Sequence, residues 1–469
     1  MIRLAATVAG LMLLASPAVA RPATPNELLA IARRVISREG DLSRLWPGFW
    51  PPGQPFILHD PATGSVFGGG AAPGGPEYRP GPLPGAHSAY ELDYPSGAPN
   101  TVALRYQAGA ANLDTLFHEQ FHDYQSEGFR WRGGGTDEFV DPFLIPDKAA
   151  FAAAAEVERR VLARALSARR PAERRRLAGQ YLALRRYRLG GLDAAVADAE
   201  AHREWSEGVA EYVGLRGAAI VAGRPDDARR RIVQGLRKDL NAAGGGFSTS
   251  WFRWRAYGVG AAIAWLLDDL GVDWRPAVED GARLDEVLAQ AIGQAGTEGH
   301  PGDLLARYQF DRLRREMADR LRHAPHAPST REEFLASAPI RLVIEVIVPQ
   351  GRLGEVETSF QADGMTSLPD GLLALTEVGY FVVRFEEIDL RISDRPVLAE
   401  FRSDAPRHVV LLSSFDGLTD LVEAPSGNLD PAGLHLDLDW IHLRAPHATI
   451  ERDENELRLR LMSQRPDGT

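Results

Sequence analysis

LDTLFHEQFHDYQ, residues 113–125, sets two histidines four apart with a glutamate directly after the first. On a helix, positions four apart share a face, so His118 and His122 present two imidazoles to one point while Glu119 reaches the space beside it. Leu113, Phe117, Phe121 and Tyr124 form an apolar stripe on the same segment. That stripe gives the helix a face to bury and leaves the histidines on its flank, toward a cleft. With 12 His in 469 residues, an H-E-x-x-H arises by chance in roughly a few per cent of such chains. The chemistry it suits is a divalent ion held by imidazole, with a carboxylate placed to take a proton from water. The bland alternative is a surface helix carrying two incidental histidines.

The surrounding chain is long enough for two or three domains, at 44% hydrophobic and 25% charged residues. Its start combines Arg3, the apolar run LAATVAGLMLLA and SPAVA before Arg21, which predicts a secretory leader cleaved after Ala20 and a periplasmic or secreted protein. No later stretch reaches the roughly 18 apolar residues of a spanning helix, so no integral membrane segment is expected after cleavage. There are no cysteines, which excludes disulfides and thiolate ligands and leaves His and carboxylates to hold any zinc. The net charge of −11 speaks against nucleic acid as a partner. Lys148 and Lys238 are the only lysines among 53 basic residues, a compositional bias without functional weight.

The periodicities predict an α+β chain. TPNELLAIARRVISREG reads as a helix with a Thr/Pro start and a Gly stop. Residues 41–107, dense in Pro and Gly, leave room for a small sheet built from PFILHD, SVFGG, AHSAYELDY and NTVALRY. NTVALRY, just before the H-E-x-x-H helix, is a candidate edge on which an extended peptide adds as a strand. Residues 147–188 read as a helical hairpin split at Pro171. Further helices are expected at AAVADAEAHREWSEGVAEYVGLRGAAIV, RAYGVGAAIAWLLDDLG and PGDLLARYQFDRLRREMADRLR, with a loop at 244–250. Past residue 338 the period drops to two, in IRLVIEVIVPQG, GYFVVRFEEIDLRI, HVVLLSSF, LHLDLDWIHLRA and NELRLRLM. The expected division is 1–20 leader, 21–110 N-terminal helix and small sheet, 111–330 helical metal-binding part, and 338–469 all-β sandwich or barrel, with the boundary at 325–338.

A zinc hydrolase needs a third protein ligand and keeps the fourth position for water. Downstream, EWSEGVAEYVG resembles the third-ligand segment of the gluzincin metallopeptidases, in which a glutamate on a later helix completes H-E-x-x-H. Its E-G-x-A form is similar to the aminopeptidase N and leukotriene hydrolase branch. The resemblance implies Glu207 as third ligand, with the hairpin as an insertion after His122, and Zn2+ as the cofactor. Glu211, one turn on, matches the acid that in the thermolysin branch holds the second ring nitrogen of a histidine ligand, here His118. RAYGVGAAIAWLLDDLG resembles the same branch's oxyanion segment, which implies Tyr257 as donor ahead of Gly260 and Ala261. The motifs occur in the family's order, across residues 107–270. The implied fold is a thermolysin-like catalytic domain, and the implied activity is peptide-bond hydrolysis with Glu119 as general base. The G-x-M-E-N segment that holds a substrate's free amine in that branch does not occur before His118, so exopeptidase and endopeptidase both stay open.

Other readings remain. Glu204 competes with Glu207 as ligand, and Arg203, one turn before Glu207, offers these glutamates a plain ion-paired helix face. His435, His442 and His447 share no motif and read as solvent-facing. Ser248 and Ser250 make no nucleophile elbow, and the Gly-rich stretches at 68–75 and 244–246 lack phosphate-loop residues. The Arg clusters at 169–176 and 228–231 read as solvated faces. The competing class is a noncatalytic envelope protein whose C-terminal β-domain binds a protein or glycan.

Overall fold

The computed structural model describes residues 21–72, 74–84, 86, 90–106, 112–133, 145–238, 249–293, 300–323, 332, 341–349, 352, 355–362, 365–368, 371–375, 378–393, 395–400, 407–412, 427–429, 433–438, 440–453 and 456–463. The expected leader, and all of the expected boundary at 325–338 except Glu332, lie outside the described residues. The architecture is mixed α and β, with helices and a small sheet in the first two thirds and strands after residue 340.

Thr24 caps α1 (Pro25–Ser37). Its hydroxyl accepts from the Glu27 N–H while the Glu27 carboxylate accepts from the Thr24 N–H, and Pro25 opens the helix. Gly40 does not close the segment but sits inside a short α2 (Glu39–Leu42). Next come β1 (Phe56–Asp60), β2 (Gly64–Gly68), β3 (Glu77–Pro80), β4 (Tyr90–Glu91) and β5 (Val102–Arg105), in the order β3-β2-β1-β5-β4. Only β1 and β5 run parallel. The expectation that NTVALRY forms an edge fails: β5 lies between β1 and β4. Gly97 (φ 90°) and Asn100 (φ 55°) let the chain reverse, which lays β4 along the free side of β5. Phe56, Leu58, Val66 and Leu104 face the helices, while Ile57, Phe67 and Ala103 meet Ala72 and Leu83 on the other side.

The H-E-x-x-H segment is α3 (Leu113–Gly128). The hairpin is α4 (Lys148–Ser167) and α5 (Pro171–Leu189), with Pro171 in the first turn of α5. The next segment is not one regular helix. α6 (Ala194–Arg203) passes through a π turn at Glu204–Gly208 into α7 (Val209–Val221). Then follow α8 (Asp226–Arg237), α9 (Thr249–Asp269), α10 (Arg275–Glu279), α11 (Leu284–Ile292), α12 (Pro301–Arg307) and α13 (Phe310–His323). Of the expected loop at 244–250, Thr249 and Ser250 open α9 and the remainder lies outside the described residues. The run at 301–322 is two helices, not one, because Gln309 adopts φ 59° between them.

The C-terminal strands are β6 (Arg341–Ile347), β7 (Glu357–Ala362), β8 (Met365–Leu368), β9 (Leu372–Leu375), β10 (Val378–Phe385), β11 (Ile388–Ile392), β12 (Val397–Glu400), β13 (Arg407–Leu412), β14 (Gly427–Leu429), β15 (Leu434–Leu438), β16 (Ile441–Ala445), β17 (His447–Asp453) and β18 (Glu456–Met462). They form two sheets, β15-β16-β11-β10-β7 and β14-β17-β18-β6-β13-β12-β9-β8. One core joins Phe381, Val383 and Leu443 of the first sheet to Ile344, Val410 and Leu459 of the second. These strands therefore have their own hydrophobic interior, arranged as a sandwich.

The helical part buries a charge network as well as an apolar core. The Arg188 guanidinium donates to Glu158 at 2.7 and 3.0 Å and to Glu200 at 2.8 and 2.8 Å. Arg255 donates to Glu158 at 2.7 Å, and Arg185 donates to Glu204 at 2.7 Å and Asp285 at 3.0 Å. The side chains of Glu158, Arg188 and Arg255 are at most 1% exposed. These pairs tie α4, α5, α6, α9 and α11 together. Removing one partner leaves an uncompensated charge without water, so Glu158→Ala should cost about 3–5 kcal/mol, read as a lower urea midpoint. A loss under about 1 kcal/mol would show that the arginines repair their pairing elsewhere.

Candidate metal centre

Two glycines bring α3 and α7 together. A Cβ at Gly214 would stand 2.6 Å from the Asp114 carbonyl oxygen and 3.1 Å from His118 Cβ, and one at Gly217 would enter the Phe117 ring. With no side chain in the way, the helices touch backbone to side chain, and His118 lies directly against the segment that carries the glutamates. A second close approach sets the π turn. Gly208 lies so near Gly260 of α9 that a Cβ on either would come within 2.6 Å of the other's Cα. The glycines of E-G-x-A and Y-x-x-G are thus two sides of one helix contact.

At this junction His118 Nε2 and His122 Nε2 are 3.0 Å apart, and Glu207 Oε2 lies 3.3 Å from the first and 3.2 Å from the second. Three ligands at zinc–nitrogen and zinc–oxygen bond lengths around a tetrahedral ion stand about 3.3 Å from one another. Among the described residues this is the one group of three His, Asp or Glu side chains with such convergence.

The proton positions are set by the neighbours. Gln125 Nε2 lies 3.1 Å from the Ser206 carbonyl and 3.4 Å from that of Trp205, and carbonyls only accept. The Gln125 oxygen therefore faces His122 Nδ1 at 2.8 Å, so that Nδ1 must donate and His122 Nε2 is left with a bare lone pair. Glu211 Oε2 sits 3.7 Å from His118 Nδ1, at ion-pair distance but beyond a hydrogen bond, and biases that ring toward the same tautomer. Two nitrogen lone pairs and a carboxylate oxygen thus point at one place, where only a cation relieves their repulsion. A proton serves: burial alone would depress the His118 pKa, but Glu207 and Glu211 outweigh it and raise it to about 10.

Glu119 is 3% exposed. Burial pushes its pKa up, against the pull of the His118 and His122 charges and of a hydrogen bond from Tyr90. Tyr90, on the edge strand β4, carries no motif, and nothing in the sequence around it points to the site. Gln125 was within reach, since it lies one turn from His122. Tyr257 is buried with its ring stacked parallel to that of His118, centroids 5.5 Å apart. Glu204 is not at the centre. Its carboxylate is turned into the arginine network, so the structure separates it from Glu207 although the two are only three positions apart in sequence.

The remaining clusters behave otherwise. His435 and His442 meet edge to face, ring centroids 5.8 Å apart, on the β15–β16 hairpin, where His442 Nδ1 lies 3.4 Å from Asp437. Ser248 and the Ser250 side chain lie outside the described residues. Of the two Arg clusters read as solvated faces, Arg169, Arg170, Arg175 and Arg230 are exposed as expected, whereas Arg174, Arg229 and Arg231 are not. Arg229 donates to the Leu166 carbonyl at 2.7 Å and to Asp269 at 3.0 Å, Arg174 pairs with Asp269, and Arg231 pairs with Asp114 at the start of α3. These arginines find acids on neighbouring helices, a tertiary fact that charge spacing does not carry.

No family model, curated protein or solved structure matches this chain. The α3–α7 contact itself is open to test. Gly214→Ala should destabilise the fold by about 1–3 kcal/mol through overpacking. Gly235→Ala, in the last turn of α8 where an added Cβ would meet nothing within 4 Å, should instead stabilise by about 0.5–1 kcal/mol. Thermal melts of the two variants should move in opposite directions, and a neutral Gly214→Ala would mean that α3 and α7 are not held so closely.

Proposed function

We propose that this protein is a zinc-dependent metallopeptidase of gluzincin type, in which His118, His122 and Glu207 hold Zn2+. The observation that carries the reading is the triangle of 3.0, 3.2 and 3.3 Å formed by the two Nε2 atoms and the Glu207 oxygen. Bound there, zinc supplies Lewis acidity toward a carbonyl and lowers the pKa of water. Glu119 takes a proton from the attacking water and delivers it to the leaving amine. Its burial beside Tyr90 limits the positions its carboxylate can take. Tyr257, a phenol stacked on the His118 ring, donates to the developing oxyanion. Glu211 keeps the His118 Nδ1 proton in place. The small sheet, the α3 helix and the later glutamate occur in the thermolysin-like order, with α4 and α5 inserted between ligands. The leader read in residues 1–20 supports a place in the periplasm or exterior. Among the described residues no helix is long and apolar enough to cross a membrane. A peptide or protein is the substrate by motif resemblance.

Metal analysis is the first test: about one zinc per chain, lost in His118→Ala and in Glu207→Ala. Metal-free protein would favour the noncatalytic envelope reading. Against a mixed peptide library, Glu119→Gln should retain zinc and lose nearly all cleavage, a deficit of several kcal/mol in transition-state stabilisation. Undiminished cleavage by that variant would remove Glu119 as the base.

Zinc binding should also depend on pH in a defined direction. Below about 10 the metal-free His118 carries a proton that the ion must displace. Affinity should therefore rise by roughly tenfold per pH unit through the neutral range, with about one proton released per zinc. Calorimetry in buffers of different ionisation enthalpy measures that release, and a value of zero would contradict the raised His118 pKa.

A further inference from the structure

Glu204, Glu207 and Glu211 are spaced three and four apart, a pattern that on a regular α-helix puts all three carboxylates on one face. The structure does not keep them together. Glu204 points into the arginine network and is 1% exposed, while Glu207 and Glu211 face His118. The division occurs within the π turn at Glu204–Gly208, whose extra residue per hydrogen-bonded loop rotates the side chains of α6 relative to those of α7. Such a turn is locally unfavourable and persists only where its surroundings hold it.

The restraints on this turn are specific. Arg185 Nη1 donates to Glu204 Oε1 at 2.7 Å, with Arg255 Nη1 3.5 Å from the same oxygen. Arg185 is itself fixed at its other end by Asp285 at 3.0 Å. On the opposite side the Trp205 indole N–H donates to the Val278 carbonyl at 2.7 Å. Beneath, the Gly208–Gly260 approach lets the turn sit flat on α9, but a contact between two glycines resists sliding weakly. The Glu204 ion pair is thus the restraint that carries both charge and direction, and it acts three residues from Glu207.

We infer that Glu204 is a positioning residue for the metal centre: its pairing with Arg185 and Arg255 fixes the π turn so that Glu207, not Glu204, meets the two imidazoles. The inference rests on the zinc reading above. Glu204 touches neither substrate nor metal. The network it belongs to is an orienting device for the third ligand as well as a structural tie between helices.

The test compares Glu204→Gln with Asp285→Asn in the full chain. Asp285→Asn weakens Arg185 at the far end of the network but leaves both guanidinium contacts to Glu204 in place. Each protein is titrated with Zn2+ against a chelator, its melting temperature is recorded, and the Co2+-loaded form is examined by visible absorption, which reports ligand geometry independently of stability. Glu204→Gln is expected to lower zinc affinity about 10- to 100-fold, the range for lost orienting partners of metal ligands, and to alter the cobalt bands. Asp285→Asn should reduce stability with affinity and cobalt spectrum close to wild type. If Glu204→Gln retains wild-type affinity and spectrum, or if the two variants weaken zinc equally in step with their melting temperatures, the positioning role is overturned. Glu204→Ala, which removes the acceptor altogether, should exceed Glu204→Gln in both readouts; an effect no larger in a folded protein counts against the inference. A wild-type protein that binds neither Zn2+ nor Co2+ removes the metal reading and this inference together, an outcome distinct from a variant-specific null.

Discussion

Two imidazole nitrogens and one carboxylate oxygen, delivered by two separate helical segments, meet within 3.3 Å of one another in a largely buried place. Such a convergence is unfavourable by itself. Each group gives up water, and the three repel one another unless a cation sits between them. Much of the helical half consists of the groups needed to hold them there. Gly214 and Gly217 let α3 come close, Gln125 fixes the His122 tautomer and binds the backbone of the π turn, and Glu211 stands behind His118.

The second constraint is the buried network of Glu158, Glu200, Glu204 and Asp285 with Arg185, Arg188 and Arg255. Desolvating so many charges is costly, and a well-packed apolar set of similar volume would often match or exceed its contribution to stability. Its geometry offers directed, bidentate contacts that leucines cannot make, and these join five helices in one register. Burial drives Glu200 upward, yet the surrounding guanidiniums reverse that and bring it down to about 2. Glu204 goes the other way, its carboxyl pushed up by burial in spite of Arg185 and Arg255, and the helices this network joins form the wall on which the π turn rests.

How much could be read from the residues alone varied with the range of the interaction. Thr24, Pro25 and Glu27 announced the first helix, and Pro171 the split of the hairpin, because caps and proline act locally. Breaks without such residues were hidden. GYFVVRFEEIDLRI keeps its period across a hairpin whose turn uses Glu386 at φ 53° in place of Gly or Asn, and residues 301–322 keep a helical period across Gln309. The π turn left no mark at all, since EWSEG fits an α-helix as well as it fits the observed bulge.

The spacing of His118, Glu119 and His122 was decided by the sequence, because a helix of fixed pitch places side chains four apart on one face whatever surrounds it. So was the choice of His and carboxylate as the only ligand chemistry open to a chain without cysteine. Which of three nearby glutamates meets those histidines was not. That depended on a one-residue insertion in the helical winding, on arginines from α5 and α9 that draw Glu204 away, and on glycines that set the distance between helices. Local pitch is a property of the backbone and travels with the sequence; the direction of a buried carboxylate is a property of its partners, and those are assembled only when distant segments pack.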